Sequence, residues 1–319
     1  AIDYDDPGEV VTRDVGAIIV ATGLDVYDPT EMDEYGYTRF ENVITSMEFE
    51  RLICAGGPTD GHFVRPSDKD RPKKTGFIQC VGSRNPKIGR PYCSNICCMN
   101  TIKDTLLLAD HYPDTKNSVF YQDIRAFGKS FEDMFQRSKE AGTRYIRGLP
   151  GDIEQDPETQ NLILTVENTT SGELERHELD MVVLSVGLEI SESTVDLAGR
   201  LDVDLNRYNF ADTQPFTPVE TSRQGVYACG VFQGPKDIPE TVTQSSGAAA
   251  LASSLLASKR GTLVEEQSFP DELPIGEEPR IGVFVCHCGV NIAGVVDVQE
   301  VKEYAKSLPD VIYAEQNFH

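Results

Sequence analysis

Four cysteines, Cys80, Cys93, Cys97 and Cys98, lie within a single nineteen-residue stretch of this chain. That stretch, CVGSRNPKIGRPYCSNICC, leads from an apolar run at 77–79, which predicts a strand, into a predicted helix from 95 to about 111. Four thiolates that converge on a strand-to-helix loop satisfy either a tetrahedral zinc ion or a four-iron cluster. Buried and inert cysteines are a third interpretation, because cysteine is among the most buried residue types.

Two features of the stretch favour a cluster over zinc. The adjacent pair Cys97 and Cys98 is awkward for a compact zinc knuckle, and the loop lacks the usual paired C-x-x-C halves. We expect Cys93 at the beginning of the helix and Cys97 one turn further on. There the helix dipole and its free amide groups stabilise negative charge.

The other cysteines have weaker patterns. Cys54 and Cys229 are predicted to be core residues. Cys286 and Cys288 form a Cys-His-Cys sequence, which is either half of a further metal or redox site or a surface-exposed pair. Their role stays open at this stage.

Composition excludes several classes of function. The 319 residues include 29 Lys and Arg against 52 Asp and Glu, a net charge of −23, which disfavours nucleic-acid binding. No run of 18 apolar residues predicts a membrane-spanning helix, and the first six residues do not resemble a signal peptide. Eight cysteines without a secretory signal indicate thiolate chemistry in a reducing compartment. We therefore expect a cytoplasmic protein, which partner subunits could hold at the inner face of a membrane.

The predicted elements indicate an α/β architecture. Short apolar runs at 17–21, 180–187 and 225–230 end in or beside glycine, which predicts buried strands whose carboxyl ends are approached by backbone or ligand. The sequence also predicts a β-α-β-α-β unit, with a strand at 118–122 and a helix at 130–141. An antiparallel hairpin at 152–179, with its turn at Ser171 and Gly172, is inserted into this unit. A capping box at Thr45–Glu48 predicts one further helix, and 240–258 predicts another.

Four segments carry a resemblance to a known family: FIQCVGSR, YCSNICCM, FYQDIRAFGKSFE and CGVFQGPKDIP. They resemble the A subunits of heterodisulfide reductases and the A-like subunits of quinone-interacting membrane-bound oxidoreductases, over nearly the whole chain. The resemblance implies a thioredoxin-reductase-like flavoprotein fold with two nucleotide domains (three-layer ββα and Rossmann-like) that carries FAD and a 4Fe-4S cluster. It also gives Cys80, Cys93, Cys97 and Cys98 the role of cluster ligands. Direct NAD(P) binding is improbable, because the chain contains no Gly-x-Gly.

The same resemblance implies flavin contacts. The segments IIVATG and GVYACGVFQGPKDIPETVTQSSGAAA match the two FAD-flanking pieces of such folds, and they give as flavin contacts Gly23, Gly230, Val231, Ile238, Thr241 and Val242. The family motif has an aspartate where this chain has Val231, so Asp237 or a backbone group is expected to hold the ribityl chain instead.

Lys103 is the candidate catalytic residue. It follows Cys98 by five residues on the same predicted helix, so it is expected near the flavin with Glu50 as its partner. A solvated helix lysine fits the sequence equally well, and Lys236 is a comparable candidate on a loop.

The predicted domain order follows from these assignments. We expect the FAD domain to be incomplete at its N-terminus, as in an internal fragment. The expected segments, in chain order, are part of the FAD domain with a connector (1–73), a cluster-bearing unit like an NAD domain (74–187), the returning FAD segment (188–260), a linker (261–279) and the start of a second N-terminal-type domain (280–319).

The expected function is that of an oxidoreductase subunit which passes electrons between flavin and iron–sulfur clusters. In the family that the chain resembles, this electron transfer serves flavin-based electron bifurcation. Expected partners are the other subunits of a heterodisulfide reductase-like complex and donors of the ferredoxin, hydrogenase or formate dehydrogenase type, in anaerobic metabolism. Two alternatives are a thioredoxin-reductase-like pyridine nucleotide-disulfide oxidoreductase and a non-catalytic scaffold stabilised by its cluster.

Overall fold

A computed structural model describes Tyr4, Asp5 and residues 7–265, 267–269, 279–287 and 289–317. Its strands are β1 Ile18–Val20, β2 Asp25–Val26, β3 Val43–Thr45, β4 Lys74–Val81, β5 Lys116–Tyr121, β6 Arg144–Arg147, β7 Pro150–Gln155, β8 Leu162–Asn168, β9 Glu173–Leu179, β10 Met181–Val186, β11 Leu188–Glu189, β12 Val226–Ala228, β13 Ile281–Cys286 and β14 Val311–Asn317. Its helices are α1 Ser46–Ile53, α2 Cys97–His111, α3 Phe131–Glu140, α4 Glu192–Leu201, α5 Ile238–Leu255, α6 Gly289–Ile292 and α7 Val298–Lys306. The chain divides into two units, which we call unit 1 (1–26 and 188–266) and unit 2 (27–187 and 267–319).

Unit 2 is built on a five-stranded parallel sheet in the order β3-β10-β4-β5-β6. A separate antiparallel sheet, β7-β8-β9, is the hairpin excursion that the sequence predicts. Strand β10 is buried along its whole length, as parallel strands with both faces covered are. The α/β class expected from the sequence is therefore confirmed.

The two faces of the parallel sheet pack against different layers. On one face Ile78 and Leu184 belong to the same apolar cluster as Leu164 of the antiparallel sheet. On the other face, Phe77 packs with Phe49 of α1 and Leu108 of α2. Because successive side chains of a strand point to opposite sides, this alternation generates a three-layer arrangement of sheet, sheet and helices.

Helix α1 begins where the sequence predicts. The hydroxyl of Thr45 accepts from the Glu48 N–H, and the Glu48 carboxylate accepts from the Thr45 N–H, which is a complete capping box. The helix ends at Ile53, so Cys54 falls beyond its packed face and is exposed. The predicted core position of Cys54 is therefore wrong, whereas Cys229 is buried as predicted.

Within its described residues, unit 1 contains two short strand pairs and the helices α4 and α5. Strand β1 pairs in parallel with β12, and β2 pairs antiparallel with β11. In β1 only Val20 is buried and Ile19 is 42% exposed, so the prediction of a fully buried strand at 17–21 is wrong. Helix α5 begins two residues earlier than predicted, because the Asp237 carboxylate caps its first turn.

The segment 281–317 is a small β-α-β unit. Strands β13 and β14 pair in parallel, and α7 packs on both of them. The sequence predicts this strand at 281–285, and β13 covers it. The expected domain boundaries at 73, 187, 260 and 279 stay predictions. Cys288 lies outside the described residues. In the part of the chain that the structure describes, we find no helix of the length and apolar character needed to cross a bilayer.

The packing between the parallel sheet and α1 makes Phe77 a stabilising residue. It is fully buried and meets the Phe49 ring edge-on, with the ring centroids 5.6 Å apart. We expect Phe77→Ala to lower the free energy of unfolding by about 3–5 kcal/mol, because it removes a buried ring and leaves a cavity. Denaturant unfolding followed by circular dichroism measures this. Phe216→Ala, at a side chain that is 98% exposed, is the control and should cost less than about 0.5 kcal/mol. Equal losses in both variants would contradict the packing.

Candidate metal centre

The four cysteines of the central motif line a single small cavity in unit 2. Cys80 lies near the end of β4, and Cys97 and Cys98 open α2. The N–H of Ser83 bonds to the Cys80 carbonyl at 3.1 Å, which closes a tight turn directly after Cys80. Gly82 supplies the positive φ of +75° at the third position of that turn. Strand end, turn and helix start therefore bring the four thiols together.

The helix begins later than the sequence predicts. Asn95 has a left-handed φ of +67°, so the chain cannot be helical there, and α2 begins at Cys97. Cys97 and Cys98 thus occupy the first helical turn, and Cys93 precedes the helix, which corrects the expected order. Among the described residues no side chain caps this helix end, and Cys97 and Cys98 of its first turn line the cavity, so its free amides and its dipole lie beside the four cysteines.

Several donors are directed at the sulfur atoms. The Asn95 N–H donates to the Cys93 Sγ at 3.3 Å. The Arg125 N–H bonds to the thiol of Cys98, and the Arg84 guanidinium bonds to the thiol of Cys80. Sulfur that accepts such bonds is stabilised in its anionic form.

Arg84 is itself fixed by an acidic residue. Its two terminal nitrogens donate to the two carboxylate oxygens of Asp123 at 2.8 and 2.9 Å, a bidentate pair. The hydrogen bond from Arg84 lowers the pKa of the Asp123 carboxyl. Burial has a smaller effect in the opposite direction. Sequence reasoning assigns no role to Ser83, Arg84, Asp123 or Arg125. The sequence could have pointed to these residues, because they belong to the segments FIQCVGSR and FYQDIRAFGKSFE, which carry the family resemblance.

Burial disfavours the charged form of three of the four thiols. It raises the pKa of Cys80 to about 11, with the neighbouring Cys98 as the next cause. Burial likewise raises the pKa of Cys98, and it raises that of Cys97 strongly, with the charge of Cys80 adding to the effect. A thiolate is the form that binds metal, so this site gains its charge only together with a cationic group.

The donor set fits a multi-iron cluster. Cysteine thiolates are the usual ligands of iron–sulfur clusters, and four cysteines line this one cavity. The hydroxyl of Ser83, on the wall of the cavity, is buried and has no partner among the described residues. An unpaired buried hydroxyl costs about 1–3 kcal/mol, which a bound group that accepts its proton would remove.

A buried polar network holds the helix against the sheet beneath the cavity. The Gln79 amide donates to the hydroxyls of Thr101 at 2.7 Å and Ser185 at 3.0 Å, and these two hydroxyls lie 2.9 Å apart. All three side chains are essentially buried. Because they belong to β4, α2 and β10, they fix the elements that carry Cys80 and Cys97 relative to each other.

Lys103 has the partner that the sequence predicts. Its ammonium group donates to the Glu50 carboxylate, and it lies 2.9 Å from Oδ1 of Asp104. Burial opposes the charge of Lys103, but the two carboxylates together raise its pKa, so it remains protonated. Its side chain is 37% exposed, which leaves part of the ammonium group accessible.

Asp104 is a buried carboxyl that the sequence analysis does not single out. It is fully buried and accepts from the Asn100 amide at 3.0 Å. Burial, opposed by the Lys103 charge and assisted by Glu50, raises its pKa from 3.8 to about 8. Burial therefore makes Asp104 a weaker acid than an exposed aspartate, and its carboxyl and that of Glu50 both lie beside the Lys103 ammonium group.

The residues expected to contact flavin lie in unit 1. Gly230 and Val231 are buried in a short turn after β12, and the next helix begins with Ile238, followed by Thr241 and Val242. Ile238 and Val242 are 79% and 59% exposed. Gly23, with a φ of +80°, lies on the connection from β1 to β2.

Two further residues of this segment have structural partners. The Asp237 carboxylate caps α5 by accepting from the Glu240 N–H at 2.9 Å, so it is engaged within the protein. Lys236 is buried, and its ammonium group donates to the carbonyls of Gly230 at 2.7 Å and Gly234 at 2.5 Å. Burial lowers the pKa of Lys236 to about 8. Lys236 therefore fixes the loop that precedes α5.

The chain is similar to several curated proteins of methanogenic archaea. It is 49% identical over 260 residues to an iron-sulfur A subunit of the CoB–CoM heterodisulfide reductase of Methanopyrus kandleri, covering 81% of this chain and 40% of that protein. It is 49% identical over 257 residues to the A subunit of the H2:CoB-CoM heterodisulfide,ferredoxin reductase of Methanothermobacter thermautotrophicus (79% and 38% covered). It is 46% identical over 253 residues to the A subunit of the H2/formate:CoB-CoM heterodisulfide,ferredoxin reductase of Methanococcus maripaludis (78% and 38%).

These identities define the class and then the family. The α/β chain with a four-cysteine centre is related to iron–sulfur oxidoreductase subunits, and over about four fifths of its length it belongs to the heterodisulfide reductase A-subunit family. It spans about two fifths of the length of these relatives. No family model matches the chain. Among solved structures, it has TM-scores of 0.47 with the thioredoxin reductase of Lactococcus lactis (16% identical, 76% of this chain and 66% of that chain) and 0.44 with that of T. acidophilum (15%, 76% and 65%).

The turn that follows Cys80 makes Gly82 a requirement of the centre. A Cβ at Gly82 would lie 2.0 Å from Cδ1 of Tyr27, whereas a Cβ at Gly89, which has the same φ of +75°, meets nothing within 4 Å. We expect Gly89→Ala to cost about 1–2 kcal/mol in backbone strain. Gly82→Ala should cost a further ~1–3 kcal/mol from the clash and should lower iron content. Thermal unfolding and iron analysis measure both effects, and equal losses in the two variants would show that the clash is relieved.

The buried carboxyl of Asp104 predicts a pH-dependent stability. Its folded pKa of about 8 is higher than the ordinary 3.8, so its contribution to stability is complete below pH 3.8 and is lost as the pH rises through about 8. In Asp104→Asn this loss should be absent, so the stability curve between pH 5 and 9 becomes flatter. The difference in slope should be at most about 1.4 kcal/mol per pH unit.

Denaturant unfolding at a series of pH values measures the effect of Asp104. Asp110→Asn is the matched control, because Asp110 is on the same helix with its side chain 84% exposed. Its curve should follow the wild type. If Asp104→Asn also follows the wild type, Asp104 does not titrate in this range.

Proposed function

We propose that this chain is the flavin- and cluster-bearing part of a heterodisulfide reductase-like A subunit, an oxidoreductase that transfers electrons between FAD and iron–sulfur clusters. The observation that carries the proposal is the convergence of Cys80, Cys93, Cys97 and Cys98 on one buried cavity. The name of the Methanopyrus kandleri relative, which describes an iron-sulfur protein, supports the same chemistry.

The four cysteines would bind a 4Fe-4S cluster, which accepts and donates single electrons. The chain contributes the thiolates, the amides at the start of α2 and the Arg84 guanidinium, all of which stabilise negative charge. The Gln79–Thr101–Ser185 network holds these groups in place. A rigid site of this kind lowers the reorganisation that electron transfer requires.

The N-terminal end of α5 would bind FAD through Gly230, Val231, Ile238, Thr241 and Val242, with Gly23 at the periphery. Two exposed apolar side chains next to a helix N-terminus support this assignment, because flavin presents both an apolar ring and polar oxygens. FAD supplies the exchange of an electron pair for single electrons. Since Asp237 is engaged in capping α5, a backbone group takes the role of the family's ribityl-binding aspartate.

Lys103 is proposed as the catalytic residue that places a positive charge near the flavin. Its protonated state is secured by Glu50 and by the buried Asp104. A cation at this place would stabilise a reduced flavin, which is more negatively charged than the oxidised one.

The proposed partners follow from the relatives. Their names give hydrogen or formate as donors and both a heterodisulfide and ferredoxin as acceptors, in complexes to which they contribute one subunit. One donor with two acceptors is the arrangement of flavin-based electron bifurcation, which we include in the proposal. We place the protein in the cytoplasm of an anaerobic organism as one component of such a complex.

Cluster binding is tested by Cys97→Ser with Cys54→Ser as the control. Cys97 is a buried wall of the cavity and Cys54 is exposed, so only the first substitution should lower iron content, by about one cluster per chain. The protein is purified without oxygen, and iron, acid-labile sulfide and flavin are measured with the visible spectrum. A broad shoulder near ~400 nm that disappears in Cys97→Ser is expected for a thiolate-bound cluster.

The result can also contradict the proposal. A protein that contains zinc and no iron would overturn it, and so would unchanged iron in Cys97→Ser. Iron without any flavin would favour the alternative of a scaffold stabilised by its cluster. Reduction by NAD(P)H would favour the pyridine nucleotide oxidoreductase.

A further inference from the structure

Ser83 faces the four-cysteine cavity and has no hydrogen-bond partner for its hydroxyl among the residues that the structure describes. The residue is 2% exposed, so its hydroxyl is removed from bulk solvent. The Cys80–Ser83 turn fixes the backbone of Ser83 directly beside the first ligand. Buried hydroxyls almost always have a partner, so the acceptor for this one is expected in the group that occupies the cavity.

The other polar groups around the cavity already have sulfur as their target. The Asn95 N–H is bonded to Cys93, the Arg125 N–H to Cys98 and the Arg84 guanidinium to Cys80. Each of these donors reaches one cysteine. Ser83 adds a donor on the same wall, and its proton has no acceptor in the described protein.

We propose that the Ser83 hydroxyl donates a hydrogen bond to a sulfur atom of the cluster held by the four cysteines and thereby raises its reduction potential. This inference rests on the proposed function. One-electron reduction adds one negative charge to the cluster and breaks no bond, so a donor to sulfur stabilises the reduced form more than the oxidised form. Removal of the donor should make the cluster harder to reduce.

Ser138 provides a matched control in the same unit. It is as buried as Ser83, but its hydroxyl is hydrogen-bonded to the hydroxyls of Thr105 and Tyr145, and it does not line the cavity. Ser138→Ala therefore removes a buried hydroxyl without removing a donor to the cavity. Ser83→Thr is the conservative variant that keeps the hydroxyl.

The experiment is a redox titration of the cluster, followed by electron paramagnetic resonance, in the protein purified without oxygen. We expect Ser83→Ala to lower the midpoint potential, with up to a tenfold smaller ratio of reduced to oxidised cluster at a fixed potential. For a one-electron couple that ratio corresponds to about 59 mV. Ser83→Thr and Ser138→Ala should titrate within error of the wild type. Ser83→Gly, which removes the same hydroxyl, replaces Ser83→Ala if that variant loses its iron.

Each result decides the inference. An unchanged potential in Ser83→Ala would overturn it, and so would an equal shift in Ser138→Ala. Loss of iron in both Ser83→Ala and Ser83→Gly would also overturn it, because Ser83 would then be needed for assembly instead of tuning. Failure of the proposed function is distinguishable, since the wild type would then contain no cluster whose potential could be titrated.

Discussion

The convergence of four cysteines, three of them buried, on one cavity is the constraint on which the site in unit 2 depends. Burial raises the pKa values of Cys80, Cys97 and Cys98, so these three become thiolates together only when a cationic group shares the cavity. Their positions must be held before that group binds. The Gln79–Thr101–Ser185 network and the fully buried strand β10 provide this rigidity, and Gly82 lets the chain turn where Tyr27 leaves no room for a side chain.

Two groups of charged residues lie at different distances from the sulfur atoms of the cysteine cavity. The Arg84–Asp123 pair contacts the cavity directly, because Arg84 lines it and bonds to Cys80. The Lys103 cation is further along α2 and is held by Glu50. The same helix therefore begins with ligands and continues with a charged group whose state depends on a second carboxyl, Asp104. A change in the packing of α2 would affect both groups together.

Sequence patterns predict the elements that are set by local interactions. The capping box at Thr45, the helix that ends before Gly142 and the β8–β9 hairpin all depend on neighbours close in sequence, and the structure contains them. The predicted start of α2 is wrong because the cysteine loop imposes a left-handed backbone at Asn95. The predicted burial of Cys54 and of β1 is also wrong, since burial depends on distant elements. Arg84 and Asp123 lie 39 residues apart and meet only through the fold, so spacing gives no sign of their pairing.

The position of the centre also explains why the chain lacks a glycine-rich phosphate loop. In a dinucleotide-binding unit the turn between the first strand and its helix directs free amides at a pyrophosphate. Here the turn from β4 to α2 directs the same uncapped helix start at four cysteines. A 4Fe-4S cluster with four thiolates is negatively charged like a pyrophosphate, so the same dipole stabilises either group. The cysteines lie where such a unit has its glycines, so the same helix start would stabilise the proposed cluster in place of a pyrophosphate.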